Sequence, residues 1–171
     1  MNNKIVVMGV SGCGKSLIGE RIAQQFGFRF YDGDDFHPPA NIQKMQTGIP
    51  LTDEDRLTWL LTLNTLLQDN KNMVLACSAL TPAYRAILHE GINELQFVYL
   101  KGDYELIWSR LQQRKDHYFS GENMLKSQYA TLIEPGESEA IIVDIDASAE
   151  QVVTGVVEAL DLRMRLNISA G

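Results

Sequence analysis

The sequence predicts an α/β fold: three layers, with helices covering both faces of a five-stranded parallel sheet. Short apolar runs alternate with longer stretches of helical periodicity. The runs are mostly apolar throughout, as expected of strands buried on both faces. No repeat, low-complexity tract or Pro/Ser-rich linker interrupts the pattern, so one compact unit spanning 1–171 is expected.

The elements follow in order. Residues 4–8 form the first strand candidate, and 14–26 the first helix, with Leu17, Ile18, Ile22, Ala23 and Phe26 on one face. A second strand is expected over 28–31. A long helix over 52–68 opens on Thr52-Asp53-Glu54-Asp55, a capping-box-like start, and repeats Leu57, Leu60, Leu61, Leu63 and Leu67. Strands over 73–77 and 96–100 come next. Helices over 103–114 and 149–165, N-capped by Asp103 and Ser148, flank a last strand over 140–145. Ligands of such sheets sit at the carboxyl ends of the strands, so the residues just after each strand carry the functional reading.

Composition narrows the classes. Lys and Arg number 15 against 22 Asp and Glu, a net charge of −7 in 171 residues. That balance is poor for nucleic acid, whose phosphates demand a surplus of cations. No apolar run approaches the ~18 residues of a membrane span, and no secretory cleavage pattern is present. Cys13 and Cys77 lie in no CxxC or zinc spacing. A cytoplasmic protein is the simplest expectation.

After the first strand stands Gly9-Val10-Ser11-Gly12-Cys13-Gly14-Lys15-Ser16, the pattern GxxxxGK[ST]. Its glycines let successive N–H groups face a phosphate, and the following helix adds its N-terminal dipole. Lys15 reaches β- and γ-phosphates in such loops, and the Ser16 hydroxyl ligates Mg²⁺. The bland alternative is a glycine-rich turn with a surface lysine. The strand before and the helix after favour a nucleotide-phosphate loop, with Cys13 as small filler.

The loop alone fits GTPases, motor ATPases and small-molecule kinases. No NKxD is present for guanine, and the run after Met73 ends in Cys77-Ser78 rather than an acid. Acids instead follow the second strand, Asp32-Gly33-Asp34-Asp35. A kinase acting on a hydroxyl needs such a carboxylate to orient the alcohol and take its proton. A solvated acidic turn is the competing reading.

The next segment reads HPxxNxxKMxxGxPLxDxDRxxWL, from His37 and Pro38 through Asn41, Lys44, Gly48, Asp53, Asp55 and Arg56 to Trp59 and Leu60. With Cys77-Ser78-Ala79-Leu80, Tyr84-Arg85, Arg114 through Phe119, Ser127-Gln128-Tyr129 and Glu134-Pro135, the chain resembles gluconokinases, small P-loop kinases related to shikimate kinase. Tyr118 and Tyr129 stand where that family usually has Phe, and Asp116 where it has Gly. The resemblance implies a nucleoside-monophosphate-kinase-like fold in which ATP·Mg²⁺ phosphorylates D-gluconate at its 6-hydroxyl. It also implies substrate-binding helices over about 38–68, a lid over about 114–123 and a homodimer.

Roles follow from the same match. Asp34 binds the acceptor hydroxyl, and Asp32 sits near the metal shell with Ser16. Arg56 lies in a helix's first turn, where the dipole disfavours a cation; a substrate carboxylate would justify it, and so would its neighbours Asp53, Glu54 and Asp55. Arg85 is expected in the same pocket, or else on the surface. His37 and Lys44 either bind substrate or pack and cap locally. Arg110 is assigned to adenine and Arg114 to the transferring phosphoryl, against a merely solvated helix face. His117 and Gln128 are lid and substrate contacts, and Trp59 and Trp108 are packing. A shikimate or nucleoside-monophosphate kinase, and an ATP-binding regulatory module, are the competing functions.

Overall fold

The computed structural model describes residues 3–113 and 120–169. Five parallel strands, β1 (Lys4–Met8), β2 (Arg29–Asp32), β3 (Met73–Ala76), β4 (Leu95–Lys101) and β5 (Ala140–Asp144), run in the order β2-β3-β1-β4-β5. The central strand, β1, is buried along its whole length. Ile5, Val6, Val7 and Met8 of β1 are all buried, and Lys4 pairs with Met73 on one side and Leu95 on the other.

Among the described residues seven helices complete the order: α1 (Lys15–Phe26), α2 (Pro39–Gln46), α3 (Asp53–Asp69), α4 (Pro82–His89), α5 (Tyr104–Gln112), α6 (Ser120–Thr131) and α7 (Ala149–Ser169). A 3₁₀ turn occupies Gly33–Phe36. The chain moves one way from β1 to β2 and the other way from β2 onward, and connections of one hand then put helices on both faces. Helix α1 packs on β1, β2, β3 and α7, whereas α3 packs on α4. Leu60, Leu63 and Leu67 anchor α3 and are essentially inaccessible, each contributing on the order of 1.5–3 kcal/mol.

Most boundaries match the sequence pattern, and two differences have local causes. β2 starts at Arg29, because the Phe28 N–H bonds back to the Ala23 carbonyl at 2.8 Å and belongs to the cap of α1. That cap turns on Gly27, whose φ of 67° suits glycine. Helices α4 and α6 were absent from the expected set; α4 has only eight residues in which to show a period, and the described residues of α6 are mostly polar with Leu125 buried, so its periodicity is faint. The box at α3 is real: Thr52 Oγ1 accepts from the Asp55 N–H, and an Asp55 oxygen accepts from the Thr52 N–H. Among the described residues, no helix is long and apolar enough to cross a membrane.

Candidate active site

The phosphate loop leaves β1 at Gly9 and enters α1 at Lys15. Gly9, Gly12 and Gly14 hold φ of 147°, 83° and 99°, values that L side chains rarely adopt. Gly14 occupies the N-cap without a side-chain cap, and no acid stands in the first turn of α1. The helix therefore offers open N–H groups and a favourable dipole to an anion. Lys15 Nζ lies 3.1 Å from the Val10 carbonyl, folded over its own loop. Cys13 is buried beneath it; burial pushes its thiol up in pKa, which suits filler rather than a nucleophile.

Beside the loop, the end of β2 turns into the 3₁₀ segment. Ser16 Oγ donates to Asp32 Oδ2 at 2.6 Å, and Asp32 Oδ1 accepts from the Asp34 N–H at 3.0 Å. Both Asp32 oxygens are thus engaged. The turn is pressed against β3: a Cβ on Gly33 would lie 2.6 Å from the Ala76 carbonyl, so only glycine fits. The Gly33 carbonyl accepts from Trp59 Nε1 at 2.7 Å. Asp34 emerges from this fixed turn with its side chain 83% exposed. The neighbouring His37 ring, and secondarily Lys15, hold its carboxyl below the usual carboxylate range. Asp35 is exposed too.

Two residues expected to bind substrate are engaged elsewhere. His37 is buried and stacked on Trp59, with ring centroids 4.2 Å apart; it stands behind Asp34 rather than in open solvent. Lys44 Nζ reaches both Asp55 oxygens at 2.8 and 2.7 Å. That ion pair, helped by the Thr52 N–H, pulls the Asp55 pKa down to about 2. Lys44 therefore clips α2 to the start of α3.

Arg56 is partly buried, its side chain 23% exposed. Its Nη1 accompanies the Tyr84 hydroxyl at 3.3 Å, the guanidinium sits 5.8 Å from that ring's centroid, and Asp53 lies 3.8 Å away. Tyr84 donates in turn to Asp53, and burial together with that carboxylate raises its pKa. Asp53 is 87% exposed, so its neutralisation of Arg56 is weak and the guanidinium stays available to an anion. Tyr84 was read from the sequence only as part of the matching motif, with no role of its own, although it orients the Arg56 head.

Arg85 is the clear correction. It is 2% exposed, with Nε and Nη2 on Glu139, and Nη1 on the Ala79 and Ile133 carbonyls at 3.0 and 3.2 Å. Four of its five N–H donors are spent on protein acceptors, and a guanidinium so buried is committed to the fold rather than turned to a ligand. Arg85 and Glu139 also line a cavity of about 980 Å³ whose lining includes no phosphate-loop residue.

The smaller cleft, about 200 Å³, lies beside the loop and is lined by Gly12, Gly14, Leu17, Arg110, Ile145 and Ala147, among others. Its size is below the roughly 300–1,000 Å³ of whole-ligand sites, so it suits one part of a ligand, such as a base. Arg110 Nη2 donates to the Ile145 carbonyl at 2.7 Å, which places it at this cleft's wall. Ile145 and Ala147 escaped the sequence reading; their position after the last strand was the available signal.

Gln128 is found on the loop itself. Its Oε1 accepts from the Ser11 N–H at 2.6 Å. The rest of α6 and its exit are tied to other strand ends: Tyr129 donates to the Gly102 carbonyl at 2.8 Å, and the Ile133 N–H to the Leu80 carbonyl at 2.9 Å. The hydroxyl by which Tyr129 differs from Phe thus has a use. A Gln128→Met variant is expected to weaken nucleotide binding about threefold to tenfold, the worth of one hydrogen bond of about 0.5–1.5 kcal/mol. Calorimetric titration reads this; unchanged nucleotide affinity with weakened acceptor binding would return Gln128 to the substrate. Arg114 and His117 lie outside the described residues.

Comparison with known proteins agrees with this geometry. The shikimate kinase family model matches residues 11–161. The thermoresistant gluconokinase of Escherichia coli (strain K12) is 46% identical over 161 residues, 91% of each chain. The crystal structure of a gluconokinase from Sinorhizobium meliloti 1021 superposes with a TM-score of 0.91 at 39% identity, covering 99% of this chain and 98% of that one. A shikimate kinase from Acinetobacter baumannii, 18% identical with a TM-score of 0.63 over 95% of each chain, shares the fold. With a phosphate loop, an exposed carboxylate beside it and relatives this near over almost the whole length, the chain belongs to the gluconokinases, within the shikimate kinase family of P-loop proteins.

Proposed function

We propose that the chain transfers the γ-phosphoryl group of ATP to the 6-hydroxyl of D-gluconate, giving 6-phospho-D-gluconate and ADP. The observation that carries this reading is Asp34: an exposed carboxylate on a rigid turn, next to Lys15 and the Ser16–Asp32 pair, in a chain of this family. Asp34 orients the acceptor hydroxyl and takes its proton as the O–P bond forms. Lys15 and the N–H groups of the loop balance the charge of the phosphates. Because the transition state is loose, alignment of the hydroxyl outweighs basicity.

Ser16 and Asp32 fit Mg²⁺, since a hydroxyl and a carboxylate meet there at 2.6 Å as hard oxygen donors. Among the described residues no cluster of three His, Cys, Asp or Glu could hold a metal unaided. This suits an ion carried mainly by phosphates and water. When bound, Mg²⁺ neutralises charge on the β- and γ-oxygens. Helices α2 and α3 form the substrate-binding region, with Arg56 on the gluconate carboxylate. Arg110 packs at the adenine, Arg114 serves the transferring phosphoryl, and His117 contacts the substrate. The working enzyme is a cytoplasmic homodimer.

An ADP-release assay with gluconate, shikimate and AMP as acceptors tests the reaction. Turnover is expected with gluconate; turnover with another acceptor alone, or ATP binding without phosphorylation, would overturn it. In the same assay Arg56→Ala should raise KM for gluconate at least tenfold and KM for ATP less than twofold. Equal effects on both would remove Arg56 from the carboxylate.

A further inference from the structure

Behind Asp34 stands a chain of polar groups that ends in a carbonyl oxygen. The Asp55 carbonyl accepts from Asn41 Nδ2 at 2.9 Å. A carbonyl accepts and never donates, so this bond fixes which way the Asn41 amide faces. The same nitrogen lies 3.4 Å from His37 Nδ1. An amide nitrogen carries two N–H donors; one is used on Asp55 and the other points at the ring. His37 Nδ1 must then be the acceptor, which leaves the ring proton on Nε2. Nε2 lies 3.7 Å from Asp34 Oδ1.

We propose that Asn41 is a positioning residue that holds His37 as the Nε2–H tautomer, so that the ring presents a donor to the catalytic carboxylate of Asp34. Asn41 is 2% exposed and His37 8%, so water does not compete for the contact between them. The ring plane is fixed as well: His37 lies 16° from parallel on Trp59, which is itself pinned to the Gly33 carbonyl. The opposite tautomer would set a ring lone pair against the carboxylate and an N–H against the Asn41 N–H. The distance of 3.7 Å is just beyond a hydrogen bond, and a small rotation of the exposed Asp34 carboxylate closes it when an acceptor binds. One Asp34 oxygen is then held by His37 and the other is left for the substrate hydroxyl. The role of Asp34 rests on the kinase reading above, whereas the tautomer does not.

The test is a long-range ¹H–¹⁵N correlation spectrum of the uniformly labelled protein at pH about 8, above the ordinary histidine pKa of about 6.5. His37→Gln identifies the ring's signals. The expected spectrum shows an unprotonated Nδ1 and a protonated Nε2, and it persists in Asp34→Ala, which alters an exposed side chain. An Nδ1–H or mixed spectrum in the parent protein, or loss of the pattern in Asp34→Ala, would overturn the assignment to Asn41. In Asn41→Ala the tautomers should mix, and kcat should fall about tenfold, a part of the roughly 10²–10⁴ that an intact base contributes. KM for ATP should stay within twofold. A folded Asn41→Ala with unchanged kcat would overturn the positioning role; if that variant fails to fold, the first two spectra decide. Absence of gluconate turnover in the parent protein would strike the kinase reading and leave the tautomer result intact.

Discussion

Asp34→Asn is expected to lower kcat by about 10³-fold, roughly 4 kcal/mol of transition-state stabilisation, while ATP affinity stays within twofold. Three acids stand at the end of β2, and the structure separates them. Asp32 is committed on both oxygens, to the Ser16 hydroxyl and to the Asp34 N–H, so it cannot take a substrate proton without dismantling the turn. Asp35 is exposed, and no hydrogen bond or ion pair within the protein is seen for it among the described residues. Asp34 alone combines exposure, a fixed backbone and a ring behind it. Asparagine keeps the shape. Its oxygen would turn to His37 Nε2–H, leaving an NH₂ donor facing the hydroxyl where an acceptor is required. Steady-state kinetics with gluconate, paired with ATP titration, measure the two quantities. Asp35→Asn should fall within twofold of the parent; a larger loss there than in Asp34→Asn would reassign the base.

The contrast between what the sequence made legible and what it hid follows from how local each determinant is. The phosphate loop is encoded by eight consecutive residues, and its glycine φ values, the cap at Gly14 and the burial of Cys13 follow from that order. The Thr52 box was equally local and equally readable. The sheet followed from apolar runs whose length alone identified them. Side-chain partners across the chain were another matter. Lys44 and Asp55 are 11 apart in sequence, Arg56 and Tyr84 28, Ser11 and Gln128 117. A basic residue in a signature segment looks the same in sequence whether it meets a ligand or an internal acid. Charge counting also failed to rank them. The net −7 described the solvated surface, while Lys15, Arg56 and Arg110 stand near one end of the sheet and Arg85 is buried among carbonyls.

Arg85→Met should destabilise the fold by about 3–5 kcal/mol, a large share of the roughly 5–15 kcal/mol that holds a domain together. The guanidinium joins three separate pieces of chain. It holds the Ala79 carbonyl, in a residue with φ of 45° where an L side chain is strained by about 1–2 kcal/mol. It holds the Ile133 carbonyl just after α6, and it pairs with Glu139 before β5. Methionine fills most of the volume but leaves the buried Ala79 carbonyl without its donor, at a cost of about 1–3 kcal/mol, and the partly buried Ile133 carbonyl at a smaller one. Glu139 is 38% exposed and can rehydrate, so the stranded acid adds little. The order of effects is therefore diagnostic. Glu139→Gln, which leaves the guanidinium on both carbonyls, should cost only about 1–2 kcal/mol. Arg85→Lys should lie nearer to methionine, because an ammonium cannot span acceptors arranged around a planar fork. Urea unfolding reads the difference, and a thermal midpoint should drop by roughly 10 °C in Arg85→Met. A variant of parent-like stability whose KM for gluconate rises tenfold would instead restore Arg85 to the substrate pocket. Because α6 leaves the phosphate loop through Gln128 and reaches the Arg85 cluster at Ile133, loosening that cluster should also lower kcat in the fraction that remains folded.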